Sequence, residues 1–86
     1  MGEGESVTVC EAVRQRLNDL CRERDITTNA LSLDAGVPQS TVKSIMNGES
    51  KNPGIVTLKK LCDSFGITLG QFFSNEIFDK LEQEIQ

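Results

Sequence analysis

Apolar residues recur at helical spacing through most of this chain, and glycine and proline interrupt them at short intervals. Nothing alternates with period two for long, so the pattern predicts an all-α fold. Val13, Leu17, Leu20 and Cys21 follow the i, i+4, i+7, i+8 spacing of a helix with one buried stripe, placed over residues 10–25. Thr27 and Thr28 can cap a short second helix over 29–35, with Leu31 and Ala35 inward and Gly36 as its stop. Pro38 suits the first turn of a third helix, because the N–H it lacks has no partner there anyway. That helix runs to Met46 with Val42 and Ile45 inward, and Asn47-Gly48 ends it. Asn52-Pro53-Gly54 marks a loop. A fourth helix over 55–65 then buries Leu58, Leu61, Cys62 and Phe65, and Gly66 closes it. Thr68-Leu-Gly-Gln71 has capping-box form and opens a short fifth helix with Leu69, Phe72 and Phe73.

The ends leave more open. Residues 1–9 are rich in Gly and Glu and read as a mobile tail, with a short edge strand at Val7-Thr-Val9 as the alternative. Residues 75–86 carry a cap candidate in Asn75 and apolar side chains at Ile77, Phe78, Leu81 and Ile85. This extra C-terminal helix either enlarges the core of its own domain or meets a second copy as a dimer interface. Its acidic surface also offers a contact for a protein partner.

At 86 residues the chain has room for one small domain. Its three cysteines, Cys10, Cys21 and Cys62, are an odd number without C-x-x-C spacing and without histidine to complete a zinc set. They read as core or near-surface residues, and no metal or cofactor is expected. Reduced cysteines fit a cytoplasmic location. The absence of His removes the commonest general base, so an enzyme is not expected. No apolar run approaches the ~20 residues needed to span a bilayer, and Glu3 and Glu5 stand where a signal peptide would be basic. The formal charge of −4 is unevenly spread. Lys43, Lys51, Lys59 and Lys60 face only Glu49 within 38–60, whereas both ends are acidic. At physiological salt, exposed acids more than about 8 Å away hardly weaken such a local basic surface.

The informative segment is Thr28-NALSLDAGVPQSTVKSIM-Asn47, two short helices joined by a glycine-containing turn. Leu31, Ala35, Val37, Val42 and Ile45 tie the pair together and to the first helix, leaving the outer face of the third helix free. That face carries Gln39, Ser40, Lys43, Ser44 and Asn47, with Thr41 at its edge. The same composition also suits an ordinary solvated helix. A helix about 10–12 Å wide, however, fits a major groove about 12 Å wide. Gln can bond an adenine edge, Lys the guanine acceptors and Ser either kind of group.

The ordered set of residues resembles the helix-turn-helix domain of the Cro and lambda-repressor-like family, also called the XRE family. Arg16-Leu17, Leu20, Ile26-Thr27, Leu31, Gly36-Val37 and Ser40-Thr41-Val42 carry the first part of the resemblance. Ile45, Asn47-Gly48, Pro53, Thr57-Leu58-Lys59-Lys60-Leu61 and Phe65-Gly66-Ile67 carry the rest, so that it spans Val13 to Phe73. It implies a compact five-helix DNA-binding domain over residues 10–74, with its recognition helix at about 38–47. Carried over by position, it implies that Gln39, Ser40, Lys43 and Ser44 read bases, with Lys43 able to reach a phosphate instead. Thr28, Thr41, Asn47, Lys51 and Asn52 then hold the DNA backbone. A phosphate at Thr28 also suits the free N–H groups of a helix N-terminus. Three positions depart from the family pattern: Thr28 replaces a common Gln, and Cys21 with Met46 replaces the buried Arg–Glu pair of some relatives.

The resemblance implies a sequence-specific regulator of transcription that binds double-stranded DNA. The simplest such protein is a bacterial or phage repressor that occludes a promoter, as a homodimer on a pseudo-palindromic operator. An antitoxin-like or scaffold module with the same fold is the rival. Arg14, Arg16, Arg22 and Arg24 read first as solvated or salt-bridged residues of the first helix, Lys59 and Lys60 stand between plain surface and phosphate contact, and the four phenylalanines read as core.

Overall fold

The computed structural model describes residues 8–49 and 52–81, which form α1 (Val9–Arg24), α2 (Thr28–Ala35), α3 (Gln39–Met46), α4 (Ile55–Phe65), α5 (Leu69–Phe73) and α6 (Glu76–Asp79). The described residues contain no strand, as the helical spacing predicts. The start of α1 corrects one expectation. Val9 is helical, and Thr8 is the cap rather than part of an edge strand. The Thr8 hydroxyl accepts from the Glu11 N–H at 3.1 Å, and the Glu11 carboxylate accepts from the Thr8 N–H at 3.0 Å. Two donors at the helix end are satisfied reciprocally, which outweighs the β-preference of valine at this position. The tail expected at 1–9 thus gives up Thr8 and Val9, and residues 1–7 lie outside the described residues.

The inward stripe of α1 is the centre of the molecule. Leu17 is fully buried, as are Leu31 of α2, Val42 of α3, Leu61 and Cys62 of α4 and Phe72 of α5. All belong to one core cluster, completed by Val13, Leu20, Cys21, Val37, Ile45, Leu58 and Phe65. α2 packs on α3 and α4, α1 on α3 and α6, and α4 on α5. A further tie joins α2 to α4, where the Ser64 hydroxyl donates to the Asp34 carboxylate.

Two arginines of α1 act in a way that spacing does not reveal. Arg24 donates to the Phe65 carbonyl at the end of α4, at 2.6 Å, with its guanidinium 5.8 Å from the Phe65 ring centre. Arg16 donates through Nε to the Phe72 carbonyl at 2.8 Å and through Nη2 to the Gln71 carbonyl at 3.0 Å. Helix ends leave carbonyls unpaired and carry partial negative charge, so each guanidinium satisfies acceptors and meets a favourable field. These two side chains therefore act as clamps between helices, Arg16 half-buried and Arg24 still exposed to solvent.

The C-terminal segment is shorter in helix than its apolar spacing predicts. Asn75 caps α6 by accepting from the Ile77 N–H at 3.1 Å, but the helix ends at Asp79, and Leu81 is half-buried beyond it. Phe78 stacks with Phe73, ring centres 4.9 Å apart, and Phe72, 5.9 Å. Of the two readings for this segment, the turn it forms follows the first, packing on its own domain. Residues 82–86 lie outside the described residues.

Arg16→Ala removes two charge-assisted bonds and should lower unfolding free energy by about 1.5–3 kcal/mol, read from the urea midpoint at unchanged slope. Arg16→Lys should recover only part of this, because an ammonium cannot present the guanidinium fork. An unchanged midpoint for Arg16→Ala would show that the clamp contributes nothing.

Candidate nucleic-acid interface

The turn between α2 and α3 sets the direction of the candidate reading helix. Gly36 caps α2 at φ 70°, in the left-handed region, and the N–H groups of Gly36 and Val37 both reach the Ser32 carbonyl. Val37 is then buried, which anchors the start of the next helix in the core. Pro38 stands one position before α3 as its N-cap, not in its first turn, and its carbonyl accepts from the Thr41 and Val42 N–H groups at 3.0 and 3.1 Å. Pro38 suits this position because a fixed φ, here −55°, costs nothing where no backbone donor is needed.

Within α3 the division of faces follows from the helical turn of about 100° per residue. Gln39, Lys43, Asn47, Ser40 and Ser44 fall within about 140° of arc, while Val42 and Ile45 occupy the opposite side and Met46, half-buried, borders the arc next to Gln39. Val42 and Ile45 are buried, and Gln39, Ser40, Lys43 and Asn47 are exposed. Ser44 is half-buried, as is Thr41 at the arc's edge. The polar side chains expected to read bases thus share one outward face.

The remaining candidates lie around that face. Thr28 is the first residue of α2, and Thr27 caps it by accepting from the Ala30 N–H at 3.1 Å, so the helix begins one residue earlier than the spacing suggests. Asn52 is exposed in the loop between α3 and α4. Lys51 lies outside the described residues. Cys21 and Met46 come together along one concavity of about 550 Å³ that also borders Thr28 and Arg22. An apolar pair there removes any need to compensate buried charge. The structure also adds a group that sequence reasoning missed. Glu49 lines an open concavity of about 340 Å³ with Ser40, Thr41 and Ser44, placing a carboxylate at the rim of the polar face. Its position comes from the chain reversal at Gly48, φ 78°, where the Glu49 N–H reaches back to the Ser44 carbonyl at 2.9 Å. The loop spacing alone gives no sign of that return.

The two buried thiols offer no reactive group to this face. Burial pushes the Cys21 thiol above its ordinary range and does the same for Cys62, where Asp63 adds to the effect. A thiol held protonated is a poor nucleophile. No described helix is long and apolar enough to cross a membrane.

Residues 16–76 match the family model of the Cro/C1-type HTH DNA-binding domain. The chain belongs to this helix-turn-helix family. The match covers nearly all of the stretch, Val13 to Phe73, over which the residues carry the resemblance, and α2 and α3 are its helix-turn-helix pair. A curated relative, the uncharacterized HTH-type transcriptional regulator RghRB of Bacillus subtilis (strain 168), is 38% identical over 47 residues. That alignment takes in 55% of this chain and 34% of RghRB, so the chain spans about a third of that relative's length. Among solved structures, the crystal structure of the prophage Lp1 protein 11 is similar at a TM-score of 0.76 and 34% identity, over 86% of this chain and 97% of the other.

The turn that aims α3 is testable without any ligand. A Cβ at Gly36 would meet nothing within 4 Å, so the cost of Gly36→Ala is backbone strain alone. It should destabilise the domain by about 1–2 kcal/mol in denaturant titration, with Gly36→Asn costing less. An Ala variant as stable as the parent would show that the left-handed turn is dispensable.

Proposed function

We propose that this chain is a sequence-specific regulator of transcription that binds double-stranded DNA and represses by occluding a promoter. The observation that carries the reading is the outward polar arc of α3, set opposite the buried Val42 and Ile45. Family membership supports it, since the matched model describes a DNA-binding domain. In this reading Gln39 and Lys43 bond base edges, and the short Ser40 and Ser44 let the helix backbone approach the groove floor. Thr28, Thr41, Asn47, Lys51 and Asn52 hold sugar and phosphate, which fixes orientation without reading sequence.

A homodimer completes the proposal. One small module with few phosphate contacts binds weakly, whereas two related by a two-fold axis place recognition helices about 34 Å apart on a pseudo-palindromic site. Phe78 is committed to its own core, so the second copy meets other apolar surface. Ile55 and Val56, adjacent at the start of α4 and 59% and 65% exposed, offer such surface. Such a regulator works in the cytoplasm.

The test is selection of bound duplexes from a random pool, followed by fluorescence anisotropy on the selected sequence. Lys43→Ala should weaken binding, and Gln39→Ala should relax preference at one base pair by about 1–3 kcal/mol. If both variants bind with the parent's affinity and preference, the α3 face is not the reader. If the parent shows no salt-dependent duplex binding at all, the fold serves as a protein-interaction module instead.

A further inference from the structure

The four arginines of α1 divide by what their guanidinium groups do. Arg16 and Arg24 hold helix-end carbonyls, and Arg22 pairs with Asp19 at 2.5 Å. Arg14 makes no hydrogen bond or ion pair with any described residue, although it is only half-exposed. Its place is specific. A Cβ built on Gly48 would lie 3.8 Å from the Arg14 Nε, so the side chain passes over the turn that ends α3. There it lines one groove, of about 710 Å³, together with Asn47, Gly48 and Asn52. The acid in the same groove, Glu11, accepts from the Thr8 N–H, as the cap of α1 requires.

We infer that Arg14 is a phosphate-binding residue of the DNA interface, reaching the backbone beside Asn47 and Asn52. The inference rests on the DNA-binding reading of the α3 face. A guanidinium is charged at every accessible pH and matches two phosphate oxygens with its paired N–H groups. Arg14 sits on α1, which the core holds rigidly, and it is the cation of a groove whose other polar side chains are the amides of Asn47 and Asn52 and the α1 cap pair Thr8 and Glu11. One positive charge from a different helix therefore supplements a basic stretch that sequence distance alone would confine to residues 38–60. It also gives the domain phosphate contacts on two sides of α3: Thr28 at one and Arg14 with the loop at the other.

The experiment measures the salt dependence of binding for the parent, Arg14→Ala and Arg14→Lys, on the selected duplex and on a mixed-sequence duplex. Loss of one phosphate contact should lower the magnitude of the log–log salt slope by about 0.9 in Arg14→Ala. The parent's advantage over Arg14→Ala should accordingly shrink about 3.5-fold as salt rises from about 50 to about 200 mM. Base preference and thermal midpoint should stay at parental values, and Arg14→Lys should keep the parental slope. If Arg14→Ala lowers the thermal midpoint, Arg14→Gln, which retains a long side chain without charge, carries the same comparison. A parental slope in the neutral variants, on a parent that binds with clear salt dependence, overturns the assignment of Arg14 and leaves the α3 reading intact. A parent without salt-dependent binding overturns both.

Discussion

Burial of Val42 and Ile45 is the constraint from which the functional surface follows. Both lie in the cluster that contains Leu17 and Leu31, and α3 is held by contacts to α1 and α2 together. A helix of eight residues is too short to be stable alone, so its existence and its rotation both come from this packing. Once two apolar side chains point inward, geometry places Gln39, Ser40, Lys43, Ser44 and Asn47 on the far side. Exposed polar groups there keep their water until a partner displaces it, so facing outward costs them no desolvation in the free protein.

α1 does more than furnish the inner wall. Its apolar stripe fills the centre, while Arg16 and Arg24 reach the C-terminal ends of α5 and α4. Those helices join the bundle through loops closed at Gly66 and Thr68, and the clamps satisfy carbonyls that would otherwise compete for water. Charge in this acidic chain is thus apportioned by place. Two guanidinium groups serve the fold, one pairs on the surface, and Arg14 lies over the turn that ends α3. A net charge of −4 says little about how charge is placed around the reading face, where Glu49 stands at the rim of α3 and Glu11 shares a groove with Arg14.

Much of this was legible before any coordinates. The i, i+4 stripes located α1 to α5 to within a residue or two, and α4 at its observed bounds, because glycine at 36 and 66 marks helix ends by a backbone conformation other residues resist. The capping box at Thr68 and Gln71 was equally readable. The errors lie where local propensity competes with a side-chain bond or with packing. Val9 has strand preference, but Thr8 and Glu11 close a cap over it. Ile77, Phe78 and Leu81 have helical spacing, yet Phe78 is drawn onto Phe72 and Phe73 after a single turn. Of the candidate site, the outward face of α3 was readable from periodicity, whereas Glu49 and Arg14 entered only through the chain reversal at Gly48.

What the order of residues settles is local: which stretches are helical, where they stop, and which side of each is apolar. These depend on backbone preferences and on neighbours within a turn or two, and both are written in the chain. Which arginine serves a carbonyl, and which stands beside the loop after α3, is decided by contacts between residues more than 30 positions apart, as from Arg16 to Phe72 and Arg14 to Gly48. Side chains of one kind at nearby positions of a helix have the same propensities. Only the packing of the other helices around α1 gives them different partners.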